Sequence, residues 1–262
     1  VIVDNKPGAQ GAIAADFVVK SAADGHVMLM GPSGVMTANP AIHTKLPYST
    51  MRDFVPVTML VDVPLVLSVS AKHPVNTLRE FIDRARANPG DTHFGSPGPA
   101  TPPHLAAELL ARTAGLKVVH VPYKGGGPAM TDLLGGQVQM MFDNMASALP
   151  QIKAGKLKAF AVTTPKRSAL APDLPTMAEA GVKDFDVFTW WGVFAPAGTP
   201  PEIVKRLSAE IGKALSAPDL REKWLASGAE PAASTPEEFR TFIGKELPKY
   251  ARIVKESGAR VD

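Results

Sequence analysis

From position 55 to position 70, apolar residues occupy every second place, at Val57, Met59, Val61, Val63, Leu65, Leu67 and Val69. Period-two alternation marks a strand with one face in a core, and here it outlasts the roughly five or six residues of an ordinary strand. Pro56 and Pro64 interrupt it. Proline donates no ladder hydrogen bond, so part of the run must lie at a sheet edge or between sheets. A second long β run, 185–194, follows the central block of the chain. Two such runs bracketing one block predict two lobes joined by a pair of crossing strands.

The block between them alternates helix with strand. Apolar spacing and breakers predict helices over 77–87, 104–114, 129–134 and 147–154, and strands over 92–95, 118–121, 138–142 and 159–163. Parallel strands with crossover helices make a doubly wound layer. The chain opens in the same way, with a strand at 1–3, a helix at 13–21, a strand at 26–30 and a short helix at 37–42. A proline-rich stretch, 164–175, leads to a short helix ending at Gly181. Beyond it the C-terminal part is helical. Thr199-Pro200-Pro201-Glu202 and Thr235-Pro236-Glu237-Glu238 both fit a capping box, in which Thr accepts from a free helix N–H and Glu reaches back. Ile203, Leu207, Ile211 and Leu215 form one apolar stripe, and Phe239, Phe242, Ile243, Leu247 and Tyr250 another, so these helices pack on a lobe. The expected fold class is α/β: two doubly wound sheets joined by two crossing strands. Its first lobe is discontinuous, 1–70 with 193–262, and its second lobe is 71–192. A ligand would sit in the cleft between them.

One loop stands out chemically. Gly95-Ser96-Pro97-Gly98-Pro99-Ala100-Thr101-Pro102-Pro103-His104-Leu105 turns from a strand end into a helix. Such a turn aims free backbone N–H groups, backed by the helix dipole, at an anion. The same arrangement recurs at Gly31-Pro32-Ser33-Gly34-Val35-Met36-Thr37, at Tyr123-Lys124-Gly125 and at Asp143-Asn144. Open α/β sheets bind ligands at those strand ends. Ser96 and Thr101 are placed to donate hydroxyls to a carboxylate, with N–H groups around Gly98 and Ala100 completing the cradle. Thr101 also suits a plain helix cap. Ser33, Gly34 and Thr37 are the first lobe's contribution, with Met36 against the ligand's carbon skeleton. Lys124 and Gly125 add a cleft loop, and Asp143 is placed to pair with a ligand amine or to cap the next helix.

Other classes lack their motifs. Lys and Arg are dispersed and the net charge is only +3, so no basic patch interleaved with aromatics points to nucleic acid. There are no cysteines, which removes disulfides, thiolate metal sites and Cys nucleophiles. The histidines His26, His43, His73, His93, His104 and His120 show no HxxH or HExxH grouping, so a structural role is expected for His104 and no metal site at all. Gly95-Ser96-Pro97-Gly98 is not a nucleophile elbow, and neither a phosphate loop nor a dinucleotide fingerprint is present, so no catalytic residue and no cofactor is expected. The chain starts at Val1 with neither Met nor leader, which reads as a removed signal peptide or a missing upstream segment.

Asn5-Lys6-Pro7-Gly8-Ala9, Asp24-Gly25-His26, Asn39-Pro40-Ala41 with Leu46-Pro47-Tyr48, Val121-Pro122-Tyr123-Lys124-Gly125 and Asp132-Leu133-Leu134-Gly135-Gly136-Gln137-Val138 occur in order along the chain. Phe142-Asp143-Asn144 and Ala195-Pro196-Ala197-Gly198-Thr199-Pro200 follow. In order and spacing these resemble the Bug family of extracytoplasmic solute-binding proteins of tripartite tricarboxylate transporters, over nearly the whole chain. The resemblance implies a two-lobed, type II-like periplasmic binding protein without catalysis. It would be a monomer that takes a dicarboxylate, a tricarboxylate, an acidic amino acid or an aromatic acid and passes it to membrane permease subunits. It also implies a further strand, loop and helix ahead of Val1, without which a 2-1-3 strand order loses a member. The alternatives are the ligand-sensing lobe of a transcription regulator and a small-molecule α/β enzyme.

Overall fold

The computed structural model describes residues 1–183 and 185–257. A 3-10 turn at Ala9–Gly11 leads into α1 (Ala12–Val19), β1 (Leu29–Pro32), a π turn at Gly34–Ala38 running on into α2 (Asn39–Ile42), and the short α3 (Thr50–Asp53). Then come β2 (Phe54–Val63), β3 (Leu65–Ser70), α4 (Leu78–Ala87), β4 (Thr92–Ser96), α5 (Pro102–Ala114), β5 (Val118–Pro122) and α6 (Gly126–Gly135). The order closes with β6 (Met140–Asn144), α7 (Met145–Lys153), β7 (Leu157–Val162), β8 (Thr189–Pro196), α8 (Pro201–Ser216), α9 (Pro218–Ala226), β9 (Glu230–Pro231) and α10 (Pro236–Ser257).

The long alternating run divides at Pro64: β2 belongs to a sheet of order β1-β8-β2-β9, and β3 to a sheet of order β5-β4-β6-β3-β7. The return crossing runs from β7 to β8. Both sheets are built alike. Each receives a crossing strand antiparallel to the neighbours on either side, β8 between β1 and β2 and β3 between β6 and β7. In the second sheet β4 runs parallel to β5 and β6, as the helix–strand alternation predicts. In the first sheet every pairing is antiparallel, because a strand arriving from the other end of the chain fills the place between β1 and β2.

Period two sorts β3 as expected. Leu65, Leu67 and Val69 enter a core with Phe94, Phe142 and Phe160, while Val66 enters another with Met145, Ala148 and Val162. A strand buried on both faces is the mark of a central position between helix layers. Trp190 is fully buried and meets Phe239 and Phe242 edge-on at 5.6 and 5.5 Å. Trp191 turns the other way, against a cluster formed with Leu215, Leu220 and Trp224. Neither tryptophan borders the cleft.

Three local expectations change. Val1, Ile2 and Val3 form no strand and are strongly exposed; extended backbone becomes a strand only with a ladder partner, and β1 has its partner in β8. Thr199 does not cap α8, since its hydroxyl donates to the Pro196 carbonyl at 2.8 Å and the cap position falls on Pro200. The stretch before Gly181 closes as overlapping hydrogen-bonded turns, Ala180 N–H to the Thr176 carbonyl, Gly181 N–H to that of Ala178 and Val182 N–H to that of Met177, without becoming a helix. The other capping box forms in full: Glu238 N–H donates to Thr235 Oγ1 at 3.2 Å and Thr235 N–H to Glu238 Oε2 at 2.8 Å. Thr235→Ala is therefore expected to cost about 1 kcal/mol, read as a small fall in the denaturant midpoint at unchanged slope; an unshifted midpoint would show that the cap contributes nothing.

Candidate functional site

Two helix starts face each other between the sheets. On one side β1 ends at Pro32, and Ser33 leads the π turn, closed by Asn39 N–H on the Gly34 carbonyl. On the other, β4 ends at Ser96 and the chain reaches α5 through Thr101, its N-cap. Between them lies a cavity of about 250 Å³ lined by Gln10, Ser33, Gly34, Asn39, Thr101 and Thr189 together with carbon of Pro32, Val35, Pro99, Ala100 and Pro102. Among the described residues no charged side chain lines it. A larger cavity, about 310 Å³, lies at the C-terminal end of α4 against Phe81, Arg84 and Gln139. It draws on the second sheet's half alone, so it lacks the two-sided closure that a clamp needs.

Ser33, Gly34, Ala100 and Thr101, all nominated from the sequence, meet in the cleft cavity. Ser96 and Gly98 lie behind the loop and shape it: Gly98 N–H donates to Ser96 Oγ at 3.2 Å, and Thr101 Oγ1 donates to the Gly98 carbonyl at 2.8 Å. Beyond Ser96 and Gly98, five further nominated residues do not line the cavity. Met36 is fully buried in the first sheet's core with Phe54 and Phe194, because the π turn directs it inward. Thr37 spends its hydroxyl on the Ser33 carbonyl at 2.6 Å. Lys124 is exposed, and Gly125 N–H buttresses the loop from outside through the Pro97 carbonyl at 3.1 Å. Asp143 is buried and turned onto its own helix start, accepting from Asn144 N–H at 2.8 Å and from the Ser147 hydroxyl. Burial raises its pKa, opposed by those two bonds.

Gln10, Asn39 and Thr189 were missed. Asn39 donates through Nδ2 to the Gln10 carbonyl at 3.0 Å and lies 3.4 Å from the Tyr48 hydroxyl, which itself donates to the Val35 carbonyl at 2.5 Å. Burial pushes Tyr48 up to about 12, so this hydroxyl stays a donor. The Asn39-Pro40-Ala41 motif pointed to Asn39; nothing local marks Thr189, which reaches the cleft through its place at the start of β8.

Backbone strain is concentrated at the same place. Among the described residues the non-glycines with positive φ are Ala9 (44°), Gln10 (52°) and Ala100 (63°). Each costs on the order of 1–2 kcal/mol. They sit on the two loops that face each other, and strain of this kind persists where a site's geometry is over-determined. Below the second loop, His104 Nδ1 accepts from Ala100 N–H at 3.1 Å, and His104 stacks on His120 at 4.1 Å. His120 Nε2 lies 2.7 Å from Ser96 Oγ. Burial, and then the neighbouring His104, push His120 down to about 4. No group of three or more His, Cys, Asp or Glu among the described residues is placed to hold a metal, and no described helix is long and apolar enough to cross a membrane.

Two sheets exchanging crossing strands around a cleft between helix starts define a two-lobed binding protein of the solute-receptor class. The chain belongs to the TctC family, described as the tripartite tricarboxylate transporter family receptor, whose profile matches residues 1–259. It is 38% identical over 262 residues to protein BugT of Bordetella pertussis, covering all of this chain and 80% of that protein. It is 40% identical to a UPF0065 protein of a Pseudomonas species, covering 98% of this chain and 76% of that protein. Among solved structures, an R. palustris protein with adipate superposes at TM-score 0.89 with 34% identity, covering 99% of this chain and 87% of the other. The periplasmic binding protein BugD does so at 0.85, with 34% identity over 99% and 87%. MatC from Rhodopseudomonas palustris, with bound malate, follows at 0.82, with 32% identity over 94% and 85%. The resemblance to the Bug family therefore stands, and the family is one of receptors for solutes, not of enzymes.

Proposed function

We propose that this chain is a periplasmic receptor that closes on a small organic carboxylate, for which dicarboxylates are the first candidates, and hands it to membrane permease subunits. The observation that carries the reading is the cavity itself: two helix starts from opposite lobes face a space lined by hydroxyls, amides and carbon and by no fixed cation. Peptide dipoles and N–H groups then neutralise the ligand's charge. Pro102 and Pro103 remove two first-turn donors of α5, and the Thr101 hydroxyl donates to the Gly98 carbonyl, so on that side the Thr101 amide carries the contact. Ser33, Gly34, Ala100, Thr101, Gln10, Asn39 and Thr189 are the proposed ligand-facing residues. The lobes hinge at the crossings, the first at Pro64 and the second between β7 and β8, which moves β3 into the second lobe and the start of β8 into the first relative to the expected bounds of 1–70 with 193–262 and 71–192; 258–262 lie outside the described residues. The solved relatives with adipate and malate support the ligand class.

A thermal-shift and calorimetric panel of mono-, di- and tricarboxylates, acidic amino acids and aromatic acids tests this. Ligand at a hundred times Kd stabilises by about 2.7 kcal/mol, which for a chain of this size is a rise of roughly 5–10 °C in Tm. No response to any member overturns the reading. Thr101→Ala removes the hydroxyl that ties the N-cap to the Gly98 carbonyl, and is expected to weaken the best ligand about tenfold by loosening the loop that presents the Thr101 amide. Unchanged affinity removes Thr101 from the site.

A further inference from the structure

The carboxylate reading leaves unexplained what holds Ala100 in a left-handed conformation, with φ 63°, at the wall of the cavity. Alanine gains nothing there by itself. Its amide hydrogen is taken by the buried His104 Nδ1 at 3.1 Å, four residues on. That bond requires a lone pair on Nδ1, which puts the ring's proton on Nε2, facing Glu108 Oε1 at 3.6 Å. The ring has no freedom to turn: it stacks on His120 at 4.1 Å and on Phe94 at 6.0 Å. His120 in turn stacks on Phe94 at 4.7 Å and reaches Ser96 Oγ, whose other contacts are the backbone of Gly98. Two rings thus grip the ligand loop at two points, Ala100 and Ser96, from the side away from the ligand.

Resting on the function proposed above, we propose that His104, backed by His120, is a positioning residue that sets the ligand loop in its receiving shape by accepting the Ala100 amide hydrogen. With the Ala100 N–H turned back to His104 and the Thr101 hydroxyl held by the Gly98 carbonyl, the Thr101 amide is the group presented to the cleft. Glu108 Oε1 on α5 faces the other ring nitrogen at 3.6 Å, and His120 and Phe94 close the two remaining sides of the ring.

The test uses two substitutions and two measurements. His104→Asn keeps an acceptor near the Nδ1 position, whereas His104→Leu keeps bulk and loses the acceptor. By amide-resolved hydrogen exchange, Ala100 should stay protected in the parent and in His104→Asn and lose protection at least tenfold in His104→Leu, with protection elsewhere in α5 and β4 unchanged. By calorimetry with adipate and malate, His104→Leu should bind at least tenfold more weakly and His104→Asn within about threefold of the parent. Unaltered Ala100 protection in His104→Leu overturns the positioning role, as does equal weakening by both variants. A parent that binds no carboxylate overturns the ligand class instead, and Ala100 exchange still decides whether His104 holds the loop.

Discussion

Gly228→Ala is expected to destabilise the protein by at least ~3 kcal/mol, through a steric conflict that no side-chain rotation relieves. Gly228 follows α9, with φ 78°, and a Cβ there would stand 2.4 Å from Cα and 2.5 Å from N of Ala146. Ala146 lies in the first turn of α7, on the second sheet's side, whereas α9 covers the first sheet's β9. The contact joins the two halves, so a methyl group there either lifts α9 and β9 or wedges the halves apart. Either outcome lowers Tm by roughly 6–12 °C and weakens ligand capture. Gly115→Ala separates the two causes. Gly115 also has positive φ, 64°, but nothing lies within 4 Å of its added Cβ, so it should lose only about 1 kcal/mol. Equal losses in the two variants would show that conformation, not the close approach to Ala146, dominates.

The second large effect is a pair of opposing pH dependences, each worth up to about 3 kcal/mol. Asp62 sits on β2 just before the crossing. Burial first, then the charges of Glu230, Glu246 and Asp186, push it up to about 6 from an ordinary 3.8. The folded state therefore prefers Asp62 protonated: its contribution is complete below pH ~4 and is lost as pH rises through about 6. Glu246 and Asp143, both raised chiefly by burial, act in the same sense. His120 runs the other way. Held down to about 4 from 6.5, it is preferred neutral, so its contribution is present above pH 6.5 and is lost as pH falls through 4. In the parent the two slopes oppose each other over pH 4–6.5. Asp62→Asn removes one of them. That variant should melt above the parent at pH 7.5, by about 4–9 °C for 2–3 kcal/mol, and should then lose stability steadily on acidification. A variant that melts below its parent at pH 7.5 would show that the Asp62 charge is stabilised by groups other than those that raise it.

How much was legible depended on the range of the interaction. The capping box at Thr235 and Glu238 is settled within four residues, and it formed. The β3 alternation and the interruption at Pro64 are local, but they left the lobe boundary at 70; that β3 joins the second sheet follows from its pairing with β6 and β7. The cradle from Gly95 to Leu105 was visible because Gly, Pro and Thr at a strand-to-helix turn have few other uses. Thr199 misled because the same residue types satisfy a different local bond, to Pro196. Ser33 and Met36 could not be ranked from sequence, since which of them faces the cleft depends on the hand of a π turn closed by Asn39.

The sequence by itself determined the alternation of elements, the two lobes and the chemical character of the loops, because period, propensity and turn chemistry act between near neighbours. Only the tertiary structure decided which residues meet. Pro32 stands beside Trp191 through the register of β1 on β8, and Trp190 N–H reaches Ser33 Oγ at 3.4 Å across 157 positions of chain. Thr189, Gln10 and Asn39 enter the cleft, and Asp143 turns away from it, through strand pairing and burial, whose partners are distant in sequence and leave no periodic trace in it.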